Sequence, residues 1–190
     1  MQPEDLQNFS QEEIIELQRK NCIFCKIIQK EIPSNEIYSD EKVFVILDIN
    51  PANEGHCLVM PKHHYQILPQ LPDELIAHLS VVAKKTSRAV LKSLGVKGTT
   101  IFIANGALAG QKAPHFMLHV IPRKNNDMLF QMQKNASDEK ILEEIKAKLS
   151  AKMAAMTGKK TMIAHKEEPK KEKQEAKADM DINKISELFG

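Results

Sequence analysis

The sequence has no apolar run near ~18 residues and no charged-apolar-small leader at its start, so neither a membrane span nor secretion is expected. Net charge is low. Twenty-seven Lys and Arg against 25 Asp and Glu leave +2, too little to argue for nucleic acid. Cysteine is scarce: Cys22, Cys25 and Cys57 only. An odd number in a chain without a leader argues against a disulfide framework and for a reducing cytoplasm, where a close pair is more often metal-binding or redox-active. What remains is a 190-residue chain, enough for one domain with a real core plus extra segments.

The organisation follows from periodicity. PEDLQNFSQEEIIELQRKN reads as a helix, with Ser10 and Glu13 at capping-box spacing. EKVFVILDI (41–49) and HCLVMPK (56–62) are rich in β-branched and apolar residues and read as strands, joined by the turn-forming DINPANEG. Pro72 and Asp73 open a long helix in which Leu75, Leu79, Val82, Thr86, Val90 and Leu94 keep helical spacing, and Gly95 is its expected C-cap. TTIFIA (99–104) reads as a buried strand, NGALAGQ (105–111) as a loop and 113–121 as a further strand. An amphipathic helix follows from about Ser137 to Gly158. From Lys159, HKEEPKKEKQEAKA has too little apolar surface to offset ordering entropy, and it reads as a disordered linker. MDINKISELFG then recovers a short amphipathic helix suited to docking in cis or on a protein partner. The expected divisions are 1–19, 20–130, 131–158, 159–178 and 179–190, with an α+β domain of antiparallel strands and helices set to one side.

Two side-chain sets carry chemistry. Cys22-Ile-Phe-Cys25 has the spacing of a zinc half-site, and His63, His64 and His115 are candidates for two further ligands. The alternatives are a buried cysteine pair or a redox CxxC; the latter wants a strand before it, whereas a helix precedes this one. Four protein ligands would make a metal here structural. Cys57, inside a strand, reads as a core residue. In the second set, His115, Met117 and His119 share one face of a strand, since residues i, i+2 and i+4 point the same way. Asn105-Gly106 and Gly110-Gln111 precede it in a small-residue loop whose backbone N–H groups can approach an anion. His56 can reach the same end of the sheet.

CIFCKIIQKEIPSNEIYSDEKVFVILDINPANEGHCLVMPKHHY and NGALAGQKAPHFMLHVIPR resemble the histidine triad (HIT) superfamily in its zinc-containing, Hint-like branch. The resemblance implies a five-stranded antiparallel sheet with flanking helices, a homodimer with one continuous sheet, and attack on the α-phosphate of purine nucleotides through a nucleotidyl-histidine. It further implies a base pocket at Ile23, Phe24 and Ile27, ribose contacts at Asp48 and Ile49, and a phosphate loop at Asn105, Gly110 and Gln111. His56 would buttress the catalytic strand, and zinc would be held by Cys22, Cys25, His64 and His115. This chooses His64 over His63.

The sequence departs from that pattern at the central position. The middle histidine of His-x-His-x-His is the family's nucleophile, and Met117 stands there. A thioether cannot form a nucleotidyl-imidazole. A serine usual after the glutamine is Lys112, followed by Ala113 and Pro114. The expectation is a protein that binds a purine nucleotide such as AMP or GMP with lost or strongly reduced catalysis. The competing expectation is an active phosphohydrolase or nucleotidyl transferase in which His119 or a water substitutes. His119 sits ~6.6–6.8 Å along a strand from Met117, well off the family's line of attack. The Lys-rich linker also carries many glutamates and no interleaved aromatics, so nucleic acid is not an expected partner.

Overall fold

The computed structural model describes residues 10–131 and 138–158, which fall into two separate units. The expected linker and tail helix (159–190) lie outside the described residues. In the first unit, α1 (Gln11–Asn21) begins at a reciprocal box: the Ser10 hydroxyl accepts from the Glu13 N–H, and the Glu13 carboxylate accepts from the Ser10 N–H. A six-residue α2 (Ile23–Ile28) follows, and Cys22 is its N-cap residue. Strands β1 (Glu36–Ser39), β2 (Val43–Leu47) and β3 (Cys57–Pro61) precede α3 (Asp73–Leu94), and β4 (Thr99–Phe102) and β5 (Leu118–Pro122) close the fold. The sheet is antiparallel and open, in the order β1-β2-β3-β5-β4.

Strand alternation divides the apolar residues between the two faces. Val43, Val45, Cys57, Val59, Phe116, Leu118 and Val120 pack under Leu75, Leu79, Val82 and Val90 of α3. Phe44, Ile46, Leu58 and Met60 face the other way, against Ile27 and the partly buried Phe24, Ile28 and Met117. The helices therefore cover both faces, not one side as the sequence pattern suggests.

Two strands also differ from the expectation. β4 is an edge strand with half-exposed Ile101, not a buried one. β5 starts at Leu118 instead of 113, because Pro114 has no N–H to give a ladder and the Phe116 N–H is taken by the Tyr65 carbonyl at 2.7 Å. β1, exposed along its length, is invisible to a search for apolar runs.

Among the described residues of the second unit is the helix α4 (Glu139–Thr157). The Asp138 side chain caps it by accepting from the Lys140 N–H, and Gly158 ends it in the left-handed region.

Candidate functional site

The Phe116–Tyr65 backbone bond ties the segment after β3 to the start of the 115–121 run, and so brings His64 and His115 together. The first turn of α2 places Cys22 and Cys25 opposite them. All four side chains are buried, and their ligand atoms lie within 4.8 Å of one another. Cys22 Sγ is 3.5 Å and Cys25 Sγ 3.6 Å from His115 Nδ1, and Cys25 Sγ is 3.2 Å from His64 Nδ1. Metal–sulfur and metal–nitrogen bonds of ordinary length around a tetrahedral zinc ion set such separations at about 3.6 Å. His115 Nε2 donates to the Pro61 carbonyl at 3.0 Å, which leaves the Nδ1 lone pair aimed at the thiols. His63 stands apart, its ring against Tyr65. Without a cation, burial and then Cys22 push the Cys25 thiol up to about 12, and burial holds His115 down at about 4. A divalent ion reverses the first, because thiolate is the ligand. The His64 Nε2 is buried without a hydrogen-bond partner among the described residues. The donor set fits a closed tetrahedral metal site with no position left for substrate.

Beside it opens a cavity of about 600 Å³. His115, Met117, His119 and Ile121 all line it, as alternation along one face requires. The floor and rim include Phe24, Asp48, His56, Gly110, Gln111 and Lys112. Ile23 and Ile49 do not line it and are exposed at 52% and 81%, while Ile27 is buried beneath in the second apolar cluster. Asn105 is also set back: its Oδ1 accepts from the Leu68 N–H at 3.0 Å. The Gln111 carboxamide is fully engaged by the scaffold. It accepts from the Gly106 N–H and donates to the Gln66 and Ala113 carbonyls, at 2.7, 2.7 and 2.9 Å. An anion in this loop is therefore left with Lys112, backbone N–H groups and His119. Gly110 turns the loop with φ +86°, a conformation that a side chain rarely permits.

The histidine pair has a readable proton order. The Ala52 N–H donates to His56 Nδ1 at 3.3 Å, and His56 Nε2 lies 3.1 Å from His119 Nδ1. With Nδ1 accepting, the His56 proton sits on Nε2 and is donated to His119 Nδ1. The His119 proton is then on Nε2, which has no hydrogen bond to the described residues. Asp48 Oδ2 comes within 3.3 Å of the same His56 Nδ1 as an ion-pair contact. If it took a proton from that nitrogen instead, the chain would reverse; only the Ala52 approach has hydrogen-bond geometry. Burial holds His119 at about 4, helped by His56 and opposed by Asp48, and burial also lowers His56. Both rings are neutral near pH 7.

Sequence reasoning missed one wall. Phe102, Leu129 and Phe130 line the cavity beyond His119. The register of β4 against β5 sets Phe102 opposite His119, and the rings stack with centroids 4.5 Å apart.

The chain thus combines an open five-stranded antiparallel sheet with a buried Cys2His2 cluster and a histidine-lined cavity on one strand face. The HIT domain model matches residues 29–126, and the chain belongs to the HIT family. It is 45% identical over 128 residues to an uncharacterized HIT-like protein of Methanocaldococcus jannaschii, covering 66% of this chain and 98% of that protein. It is 36% identical over 104 residues to an adenosine 5'-monophosphoramidase of Saccharomyces cerevisiae, covering 55% of this chain and 63% of that one. A solved zinc-bound histidine triad family protein from Mycobacterium smegmatis superposes with TM-score 0.56 at 35% identity, over 72% of this chain and 99% of that chain.

Proposed function

We propose that this chain binds a purine nucleoside monophosphate or a related phosphate ester, and that it has lost, or nearly lost, turnover through a nucleotidyl-histidine. The single observation carrying this is Met117 on the cavity face between His115 and His119. The family's nucleophile position then holds a sulfur with no lone pair basic enough to displace a leaving group from phosphorus. The neighbouring imidazoles do not restore it. In the proton order set by Ala52, His119 presents Nε2–H to the cavity, a donor for a phosphate oxygen. Lys112 adds positive charge on the same rim. Phe24 supplies an apolar face for the base and Asp48 a carboxylate for sugar hydroxyls.

The Cys22, Cys25, His64 and His115 cluster would hold a structural zinc ion, which when bound supplies folding energy and no catalysis. Homodimerisation is part of the same proposal. The exposed edge at β4, with Ile101 outward, is the side on which a second sheet would join. The yeast relative's name as a monophosphoramidase supports AMP-type ligands. The alternative, hydrolysis with His119 as base or nucleophile, requires the reversed proton order set by Asp48.

The test pairs binding with turnover. AMP or GMP should raise the thermal midpoint of the wild-type protein, while an adenosine 5'-phosphoramidate is hydrolysed at background rate. Turnover at rates normal for such hydrolases would overturn the proposal.

A further inference from the structure

A phosphate monoester carries about 1.5–2 negative charges near pH 7, and the cavity walls do not supply the opposite charge. Apart from imidazoles, the charged side chains lining the cavity among the described residues are Lys112 and Asp48, and their charges cancel. The Gln111 carboxamide is turned to the scaffold. An anion taken out of water without an opposite charge is costly to hold.

Three neighbouring strands place the donors for a cation at that spot. Asp48 follows β2, His56 precedes β3, and His119 lies in β5; Leu47 pairs with Cys57, and Leu58 with His119. One ligand atom from each of Asp48, His56 and His119 lies within 4.8 Å of the other two, and His56 Nε2 is 3.1 Å from His119 Nδ1. A divalent ion with bonds of about 2.1 Å sets its ligand atoms about 3.0 Å apart at right angles and about 4.2 Å apart across the ion. The two rings already have the first spacing. The 4.8 Å limit exceeds the second by about 0.6 Å, an adjustment within reach of the soft side-chain torsions of Asp and His.

The donors are also held in place. Asp48 Oδ1 accepts from the Asn50 N–H at 2.9 Å, the Asp48 N–H donates to the His56 carbonyl at 2.9 Å, and the His56 N–H donates to the Asn53 carbonyl at 3.0 Å. The His119 ring is stacked on Phe102. Such supports fix ligand direction before an ion arrives.

We infer that Asp48, His56 and His119 form a second metal site, for a divalent first-row cation that in turn binds the phosphate of the nucleotide. This deepens the nucleotide reading and rests on it. Two imidazoles and one carboxylate leave coordination positions open, whereas the four donors of the Cys22 cluster leave none. All three residues line the cavity, so a phosphate oxygen can reach the ion. The ion takes the place of the proton between the two rings. His119 binds it through Nδ1 and keeps Nε2–H for a phosphate oxygen. His56 binds it through Nε2 and carries its proton on Nδ1, 3.3 Å from Asp48 Oδ2. Asp48 Oδ1 has a second lone pair for sugar hydroxyls. The ion's two charges match those of the phosphate, and no bond to phosphorus is made or broken.

The probe is Co2+ added to the zinc-loaded full chain, because cobalt bound by thiolate absorbs intensely and cobalt bound by imidazole and carboxylate does not. About one Co2+ per chain should bind without the thiolate band. In titration calorimetry, saturating Co2+ should tighten AMP binding about tenfold, a usual size for coupling between two bound ligands, while adenosine, which has no phosphate, gains less than twofold. In Asp48→Asn and in His56→Gln the AMP gain should fall below twofold, and a thermal midpoint near wild type shows that each variant is folded. Wild-type protein that binds AMP but takes up no Co2+, or gains nothing from it, overturns the metal site and leaves nucleotide binding intact. A gain that persists in both variants means that the ion travels with AMP, and an equal gain for adenosine means that it is not on the phosphate; either overturns the proposal. Failure of AMP to bind with or without Co2+ would remove the nucleotide reading and the proposal together.

Discussion

If, as proposed, the Cys22–Cys25–His64–His115 cluster holds zinc, chelation should unfold the first unit at a much lower temperature. The four donors are buried and drawn from α2, the segment after β3 and the start of the 115–121 run, so an ion held there would tie three separate stretches of chain. Without it two thiols and two imidazoles would face one another, and His64 Nε2 has no hydrogen-bond partner among the described residues. An ion bound only by the folded state stabilises it by about 2.7 kcal/mol when free metal is 100-fold above its dissociation constant. For a domain near the size of residues 10–131 each kcal/mol moves Tm by roughly 4 °C, so a fall of about 10 °C is expected on chelation. The assay is calorimetry of the purified protein with and without chelator, beside metal analysis of the same sample. Near one zinc per chain, a lowered Tm after chelation and recovery on adding zinc are the expected results. Cys25→Ser should lower Tm and blunt the chelator effect. Zinc near zero, with a Tm indifferent to chelator, would refute the metal reasoning.

Three further outcomes follow from the geometry. His119 should remain neutral down to about pH 4 in the folded protein, against 6.5 for an unperturbed imidazole. The unfolded chain therefore binds more protons between those values, and this residue's share of stability is present above about pH 6.5 and lost as pH falls toward 4; histidine-resolved NMR titration reads it, and a His119 midpoint near 6.5 would contradict it. Gly55→Ala should cost about 1–3 kcal/mol in denaturant unfolding, because φ is +85° and the new Cβ would sit 2.3 Å from Leu94 Cδ1 and 3.3 Å from Pro122 Cγ. Leu79→Ala, at a fully buried position under the sheet, should cost about 2–5 kcal/mol in the same assay.

Legibility in the sequence tracked the physical strength of each signal. The helix 73–94, its Gly95 cap and the Ser10–Glu13 box were readable because their determinants are local: a 3.6-residue period, a left-handed stop and a reciprocal hydrogen bond. The shared face of His115, Met117 and His119 was readable because alternation survives the late start of β5. The strand β1 was not, having no buried face to leave an apolar pattern. The helix α2 was hidden inside the CxxC, at only six residues. In the site, spacing alone could not choose between His63 and His64, which a backbone bond between distant segments separates. The amides of Asn105 and Gln111 are turned to scaffold carbonyls and N–H groups by tertiary partners that no local pattern reveals. Phe130 owes its place to a turn with three left-handed non-glycine residues, the opposite of what turn chemistry leads one to expect.

The most direct measurement of the central claim is a single-turnover acid quench with a labelled adenosine 5'-phosphoramidate, read by intact-protein mass spectrometry. Wild-type protein should bind the amidate and yield no nucleotidyl adduct, whereas Met117→His should gain both an adduct and measurable AMP release. A phosphorus–nitrogen adduct on the wild-type chain, formed at the rate of product release, would contradict the claim.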